Sequence, residues 1–216
     1  DGYNVIHQPN LGLGAARNAG IKHAQGKYIL PLDSDNKIKH EYLIESKKYL
    51  DSGAADIVYG RPEFFGDIVD ARLFKTENFD ISKILYYNYI DACAVYRKSV
   101  WEKNEGYETE IPYQGHEDWE FWINAYKNKF KFLFLDKPLF LYRIRKDSMI
   151  VLSSKETNNK LNHLFIINKH FDVYCQVYND LRYFKSRYLR DMETPLITSL
   201  RYFLRFIKIN LFSLRF

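Results

Sequence analysis

The spacing of apolar and polar positions divides the chain into a first part in which strands alternate with helices and a second part that is helical throughout. In the first part the pattern predicts strands at 3–7, 27–33 and 56–60 and helices at 14–24 and 39–51. In the second helix, Tyr42, Leu43 and Leu50 share the side that we expect to be buried. Because alternating strands and helices favour parallel pairing, we expect an α/β domain with a mostly parallel sheet flanked by helices.

The middle of the chain, residues 61–115, is irregular in pattern and rich in aromatic side chains. Beyond it the pattern predicts a helix and two strands, at 117–128, 131–136 and 139–144. After Ser153 every segment has a helical pattern, so we expect a core over 1–152 and a helical C-terminal extension over 153–216. Since the chain starts inside a strand pattern, the first β-α unit of the domain is expected to be missing.

The composition is that of a folded domain without a disulfide framework. Of 216 residues, 46% are hydrophobic, which suffices for a packed core. Cys93 and Cys175 are far apart and have no metal-ligand spacing, so we expect a reducing compartment and a buried Cys93. Because the chain has no signal peptide and no uncharged apolar run of membrane-spanning length, the predicted location is cytoplasmic. No nucleic-acid partner is expected.

The formal charge of +5 is concentrated near the C-terminus, where residues 181–216 contain eight Lys or Arg and two acids. At about 100° per residue, one arc of the segment 195–216 is apolar and a neighbouring stripe is basic. The arc contains Leu200, Phe203, Leu204, Ile207, Leu211 and Leu214, and the stripe contains Arg201, Arg205, Lys208 and Arg215. Such a helix suits the membrane headgroup boundary, which predicts peripheral contact with the inner face of the cytoplasmic membrane. Packing on the core or on a second subunit is the alternative.

The stretch "NLGLGAARNAG", residues 10–20, begins like a dinucleotide-binding loop. Gly12 and Gly14 match the first two glycines of that loop, but Arg17 stands where the loop needs a third small residue for close packing. A guanidinium group cannot fill that space. The loop therefore does not predict a nicotinamide or flavin cofactor.

Two carboxylates in "LDSDN", Asp33 and Asp35, follow directly after an apolar strand. Open α/β sheets bind ligands at this edge, and two close carboxylates repel each other unless a cation or hydrogen bonds intervene. Oxygen ligands of this kind suit Mg²⁺ or Mn²⁺ carrying a diphosphate. In the structural alternative, Asp33 closes an Asx turn and Asp35 or Asn36 caps the next helix.

The stretch "GHEDWEF" places a second acidic pair, Glu117 and Asp118, at the start of a predicted helix. No second histidine follows at the spacing of a zinc protease. The acids gain about 0.3 to 1 kcal/mol from the helix dipole there, while Trp119, Trp122 and Tyr126 would supply its buried face. A helix start also keeps a carboxylate ionised, as a general base must be.

Taken together, these motifs resemble the signature of the inverting glycosyltransferases of family 2, which have the Rossmann-like GT-A fold. The first segment matches N-x-G-x-x-x-A-R-N-x-G, then A-x-G, then D-x-D; the second, "GYETEIPYQGHEDWEFWINAY", has Gly-Tyr, a variable loop and a Glu-Asp pair followed by an aromatic residue. The resemblance covers roughly residues 3–148. It implies transfer of a sugar from a nucleoside diphosphate, expected to be UDP, to a hydroxyl of a glycan or lipid-linked acceptor.

The resemblance also implies roles for particular residues. Arg17 would approach the nucleotide base, Asp33 the ribose, and Asp35 the metal, with Asp33 as a second metal ligand. Asp118 would be the catalytic base.

Two departures from the family refine this picture. In "YRIRKDS", Arg145 replaces a histidine found in many relatives, so it could neutralise the diphosphate directly. Glu117 is also assigned to the binding of the donor. The Q-x-x-R-W motif of processive relatives is absent, which favours transfer of single sugars. The aromatic-rich segment 64–96 could line an acceptor site, although core packing explains such residues equally well.

Two other function classes remain open from the residues alone. A sugar-phosphate nucleotidylyltransferase would combine similar groups, but it needs a G-G-x-G-T-R type of loop that is not present here. A truncated, inactive domain that binds nucleotide or docks on a membrane is the second. Nucleotide binding with and without Mn²⁺ separates these classes.

Overall fold

The computed structural model describes residues 2–67, 75–145 and 156–212. The chain divides into two compact units, residues 1–171 and 172–216. The first contains a sheet with flanking helices, so the expected α/β class is confirmed. Within its described residues the second contains helices only, as the sequence pattern predicts.

The three helices predicted at 14–24, 39–51 and 117–128 are all observed in the first unit. The helices are α1 (Leu13–His23), α2 (His40–Asp51), α3 (Ile81–Ile84), α4 (Lys98–Lys103), α5 (Glu117–Lys127) and α6 (Glu156–Lys169). The strands are β1 (Tyr28–Ile29), β2 (Lys37–Ile38), β3 (Ile57–Gly66), β4 (Val95–Arg97) and β5 (Phe132–Ile144). Helices α7 (Phe171–Glu193) and α8 (Pro195–Phe212) follow.

The sheet is mixed rather than mostly parallel. Its strand order is β1-β4-β3-β5-β2, and only the long central pair β3 and β5 is parallel among the pairings of the described residues. The chain between β3 and β5 is long enough for the crossover that a parallel pair requires. The short strands β1, β2 and β4 pair antiparallel with their neighbours. Periodicity predicts that a segment is extended but carries no information on its direction.

Three strand predictions change in the structure. The strand at 3–7 is wrong: this segment has no regular structure, and Tyr3 is 90% exposed, because no described strand pairs with it. Only Tyr28–Ile29 of the segment 27–33 is paired. The two strands predicted around Pro138 form one long strand, β5, with an irregular register where Pro138 faces Arg61, since proline has no N–H to donate.

Helix α2 packs its inner face on the centre of the sheet. Tyr42 and Leu50 are fully buried against Val58 and Phe140, and the Tyr42 hydroxyl donates to the Cys93 carbonyl at 2.7 Å. Burial of each such side chain contributes about 1.5–3 kcal/mol. Leu43 is 43% exposed, so its expected place on this face is wrong. Cys93 is buried, as expected.

The second unit is built around an aspartate between its two helices. Thr198 of α8 donates to Asp191 of α7 at 3.2 Å, and Arg187 donates to the Tyr202 hydroxyl at 3.2 Å. The apolar arc of α8 is exposed at Leu200, Phe203 and Leu204. The structure leaves undescribed the side chains of Ile207, Lys208 and Leu211 and the residues Leu214 and Arg215. Among the described residues, no helix is both long enough and apolar enough to cross a membrane.

Candidate active site

Arg17 joins the three sequence motifs at one point. Its guanidinium lies 3.0 Å from the Asp33 carboxylate in the loop after β1 and is hydrogen-bonded to Glu117, the first residue of α5. It also lies 5.6 Å from the ring centroid of Tyr107. The side chains of Arg17 and Glu117 are only 11% and 8% exposed. A buried arginine with two carboxylate partners fixes the glycine loop, the D-x-D loop and the start of α5 relative to one another.

The glycines before Arg17 serve the packing of α1. A Cβ atom at Gly14 would lie 2.4 Å from the Glu108 carbonyl oxygen, so only glycine permits this approach of α1. Asn18 then fastens the helix, because its amide donates to the Tyr107 carbonyl at 2.8 Å and accepts from the Tyr107 N–H at 2.7 Å. Trp101 donates to the same amide oxygen at 2.8 Å. This packing of α1 directs Arg17, the residue that departs from the dinucleotide-binding pattern, toward Asp33 and Glu117.

The loop after β1 holds Asp33 and Asp35 by backbone contacts. The Asn36 N–H donates to the Asp33 carbonyl at 3.0 Å, and the Asn36 side chain accepts from the Arg143 N–H at 2.9 Å. Helix α2 begins only at His40 and has no side-chain cap, so neither Asp35 nor Asn36 caps it. The helix-capping part of the structural alternative is therefore wrong, while Asp33 does close a turn, through its backbone carbonyl. Arg145 lies 3.7 Å from the Asp35 carboxylate, which brings these two predicted site residues together.

Asp118 lies next to Glu117 in the first turn of α5. One carboxylate oxygen accepts from the Asn88 amide at 2.9 Å, and the other accepts from the Trp119 N–H at 2.8 Å. Burial raises the pKa of Asp118 well above its ordinary range, and Glu117 adds to the rise while Arg17 opposes it. The helix start was expected to keep this carboxylate ionised. In the structure, burial and the neighbouring acid outweigh the helix dipole.

Asp91 is a further candidate site residue that no sequence motif predicts. Burial raises the pKa of Asp91 to about 6, against a hydrogen bond from the Cys93 N–H at 2.8 Å, and the charge of Asp33 adds to the rise. Asp91 also raises the pKa of Asp118. The signal in the sequence was a single acid inside the apolar run "YIDACAV", which marks a carboxylate that must be held in the interior.

Four carboxyl groups, those of Asp33, Asp91, Glu117 and Asp118, therefore act on one another around a single arginine. Such an excess of negative charge favours a bound cation. No three His, Cys, Asp or Glu side chains of the described ranges converge as a complete metal site. Mg²⁺ is commonly held by one or two carboxylates together with ligand oxygens and water, and the oxygen donors of Asp33 and Asp35 fit that kind of site.

Helix α6 also fixes the start of α5, through hydrogen bonds of Asn162. The fully buried Asn162 accepts from the Tyr113 N–H and donates to the Tyr113 carbonyl, both at 3.0 Å, and its amide lies 3.0 Å from the His116 ring. His116 directly precedes α5 and has a left-handed backbone with φ of 69°. Further along α5, the buried Glu120 pairs with His170 at 2.8 Å. Glu117 and Asp118 therefore lie on a helix whose position is fixed by the contacts of Asn162 and His170.

Comparisons with known proteins place these features in a family context. Residues 1–104 match the model of "Glycosyl transferase family 2". An uncharacterized glycosyltransferase of Methanocaldococcus jannaschii is 27% identical over 190 residues, which is 84% of this chain and 63% of the relative. A poly(ribitol-phosphate) beta-glucosyltransferase of Bacillus spizizenii is 30% identical over 142 residues, which is 63% of this chain and 22% of the relative.

Among solved structures, S. aureus TarS in complex with UDP-GlcNAc matches with a TM-score of 0.52 and 25% identity. The match covers 66% of this chain and 41% of that chain. The expected GT-A fold is thereby confirmed. The chain spans less than two thirds of the length of each of these relatives.

Proposed function

We propose that the protein transfers single sugars from a nucleoside diphosphate to an acceptor hydroxyl, on the premise that residues 1–104 match the model of glycosyl transferase family 2. The observation that carries this proposal is the junction at Arg17. It brings the glycine loop, Asp33 and Glu117 together, and Asp118 directly follows Glu117 in the chain. A transferase needs these parts in one place, since donor binding and proton removal occur at adjacent atoms.

The donor in this proposal is a UDP-sugar. A cleft of about 340 Å³ beside α1 and β1 is lined by Arg17, Ile21, Tyr28 and Leu30, among others, and its apolar walls with one cationic edge suit a nucleotide base. Asp33, oriented by Arg17, would then accept hydrogen bonds from the ribose. The solved relative bound to UDP-GlcNAc supports this choice of donor class.

A divalent cation, Mg²⁺ or Mn²⁺, is part of the proposal. Asp35 would hold it, with Asp33 as a second ligand, and the bound ion would stabilise the negative charge that develops on the departing diphosphate. The excess of carboxyl groups around Arg17 supports a cation there. Arg145, next to Asp35, would contribute a second positive charge to the diphosphate.

Asp118 is proposed as the general base of an inverting reaction. The acceptor hydroxyl attacks the anomeric carbon from the face opposite the leaving nucleoside diphosphate, and the Asp118 carboxylate takes the hydroxyl proton as the new bond forms. General-base catalysis of this kind contributes about 10² to 10⁴ in rate. The Asn88 amide and the Trp119 N–H each orient one oxygen of Asp118, and a carboxylate oxygen that accepts one hydrogen bond has a further lone pair for the hydroxyl proton. The covalent intermediate of a retaining mechanism is not required.

The proposed acceptor is a glycan or a lipid-linked glycan. Tyr86 and Tyr87 are exposed directly beside Asn88, and aromatic rings at that place suit sugar faces. We also propose that α8 lies on the inner surface of the cytoplasmic membrane. The exposed Leu196, Leu200 and Phe203 and the neighbouring Arg201 support this contact.

The decisive experiment measures UDP binding by calorimetry with and without Mn²⁺, followed by a transfer assay with a set of UDP-sugars. We expect binding that requires the metal, and turnover with one donor when an acceptor is present. Asp35→Ala should abolish the metal dependence, because it removes the proposed ligand. Asp136→Ala, at an exposed position of β5, is the matched control. Metal-dependent affinity that is unchanged in Asp35→Ala would contradict the metal role, and tight binding without any turnover would favour an inactive nucleotide-binding domain.

A further inference from the structure

The second unit contains a basic cleft that the transferase site does not use. The cleft has a volume of about 410 Å³ and lies between α7 and α8. Three arginines line it, Arg187 and Arg190 from α7 and Arg201 from α8. The lining acids are Asp191 and Glu193. Positive charge therefore exceeds negative charge around the cleft.

The lining acids leave much of this charge without a close partner. Asp191 lies 3.6 Å from Arg201 and 4.0 Å from Arg187, both longer than a good charge-assisted hydrogen bond. Thr198 already donates to the Asp191 oxygen that is nearer to Arg201. Within the described ranges the Arg190 guanidinium donates one hydrogen bond, a long one of 3.4 Å to the Ser186 carbonyl, and the Arg187 guanidinium donates one of 3.2 Å to the Tyr202 hydroxyl. Since each guanidinium has five N–H donors, most donors around the cleft remain available for a ligand.

We propose that this cleft binds the phosphate of an anionic lipid headgroup. Several guanidinium groups on one small cleft match the oxygens of a phosphate, which arginine binds in a bidentate manner. The apolar face of α8 indicates a lipid source. Leu200 and Leu204, close to Arg201 on the same helix, are exposed, and a headgroup in the cleft would bring acyl chains to that face. The inference rests on the proposed membrane contact of α8 and is independent of the transfer reaction.

The experiment compares two triple variants of the full chain with equal loss of charge. The cleft variant is Arg187→Gln, Arg190→Gln and Arg201→Gln; the control is Arg182→Gln, Lys185→Gln and Arg205→Gln. Both sets take two residues from α7 and one from α8, and the control residues are exposed outside the cleft. Sedimentation is measured with phosphatidylcholine vesicles containing either phosphatidic acid or, at equal surface charge, oleic acid. Circular dichroism and UDP calorimetry verify that each variant is folded.

General attraction to a charged surface would weaken both variants alike, by up to about fivefold per residue. A phosphate cleft predicts that the cleft variant loses at least tenfold more affinity for phosphatidic acid vesicles than the control does, and that the parent prefers phosphatidic acid to oleic acid. Equal losses in both variants would overturn the cleft and leave the membrane contact of α8 standing. If inorganic phosphate binds the parent and the cleft variant keeps full affinity for vesicles, the ligand is a soluble phosphate and the lipid assignment is wrong.

Discussion

At the scale of single residues, the candidate site depends on where charge is buried. Arg17 is enclosed by Asp33 and Glu117, while the four carboxyl groups around it oppose one another. Burial strengthens every one of these interactions, because few water molecules screen them. Substitutions here should therefore separate positioning, proton transfer and stability from one another.

Asp118→Asn tests the general base. We expect UDP affinity within about twofold of the parent and a loss of turnover of at least about 10²-fold, since the amide keeps the shape but cannot take a proton. In the parent, burial raises the pKa of Asp118 to about 8, so the rate should increase as pH rises through about 8 and the carboxyl group loses its proton. Comparable kcat values in variant and parent would remove Asp118 from this role.

Arg17→Lys tests the junction. Lysine keeps the charge but cannot hold two carboxylates in fixed directions, so we expect a loss of about 1–3 kcal/mol in the free energy of unfolding and weaker UDP binding. The matched control is Arg61→Lys, whose partner Asp136 is exposed and whose substitution should cost less than about 0.5 kcal/mol. Denaturant titration measures the first quantity and calorimetry the second. Equal stability of the two variants would show that Arg17 does not hold the motifs together.

Asp91→Asn tests how far the buried Asp91 carboxylate lowers the free energy of unfolding. Because the pKa of Asp91 is about 6 in the folded state and near its usual 3.8 when unfolded, the folded protein binds more protons between these values, and stability falls as pH rises through them. The amide keeps the acceptor for the Cys93 N–H and removes the charge. We therefore expect Asp91→Asn to be more stable than the parent by about 1–3 kcal/mol at neutral pH and equal to it near pH 4. A difference that does not vary with pH would rule out this origin.

At the scale of elements, helices could be predicted and strand partners could not. The predicted helix at 117–128 is observed as α5 at Glu117–Lys127, because its apolar spacing and acidic first turn are local properties of the sequence. The segment 3–7 has an equally clear pattern but no partner among the described strands. A strand is completed by its neighbour, which local pattern does not contain.

The residues of the candidate site also divide into those that the sequence predicts and those that it does not. Motifs located Arg17, Asp33 and the acidic pair of α5, since these lie in short segments with characteristic spacing. Asn88 and Asp91 belong to no motif and reach the site through the fold. The raised pKa of Asp118 was likewise beyond prediction, because it depends on burial by residues distant in the sequence.

At the scale of the whole molecule, the C-terminal helix gives the test of the membrane contact. A chain ending at Glu193 lacks the exposed Leu196, Leu200 and Phe203 together with the basic residues of α8. We expect the full chain to sediment with anionic vesicles at low salt, with affinity that falls as salt rises, and the shortened chain to remain in the supernatant. Equal sedimentation of both chains contradicts the proposal. A salt-independent dimer of the full chain would instead identify a second copy as the partner of this face.

The crowding of acids around Arg17 also bears on the heat of ligand binding. Asp91 and Asp118 have raised pKa values in the free protein, so at a pH of about 6 Asp118, and Asp91 in part, retain protons that a water-exposed aspartate would have lost. The proposed cation would lower both pKa values on arriving with the donor, and those protons would then pass to the buffer. The observed binding enthalpy should accordingly change with the ionisation enthalpy of the buffer, and the slope counts the protons released. The same slope should be smaller in Asp91→Asn, which has no proton at that position to give up.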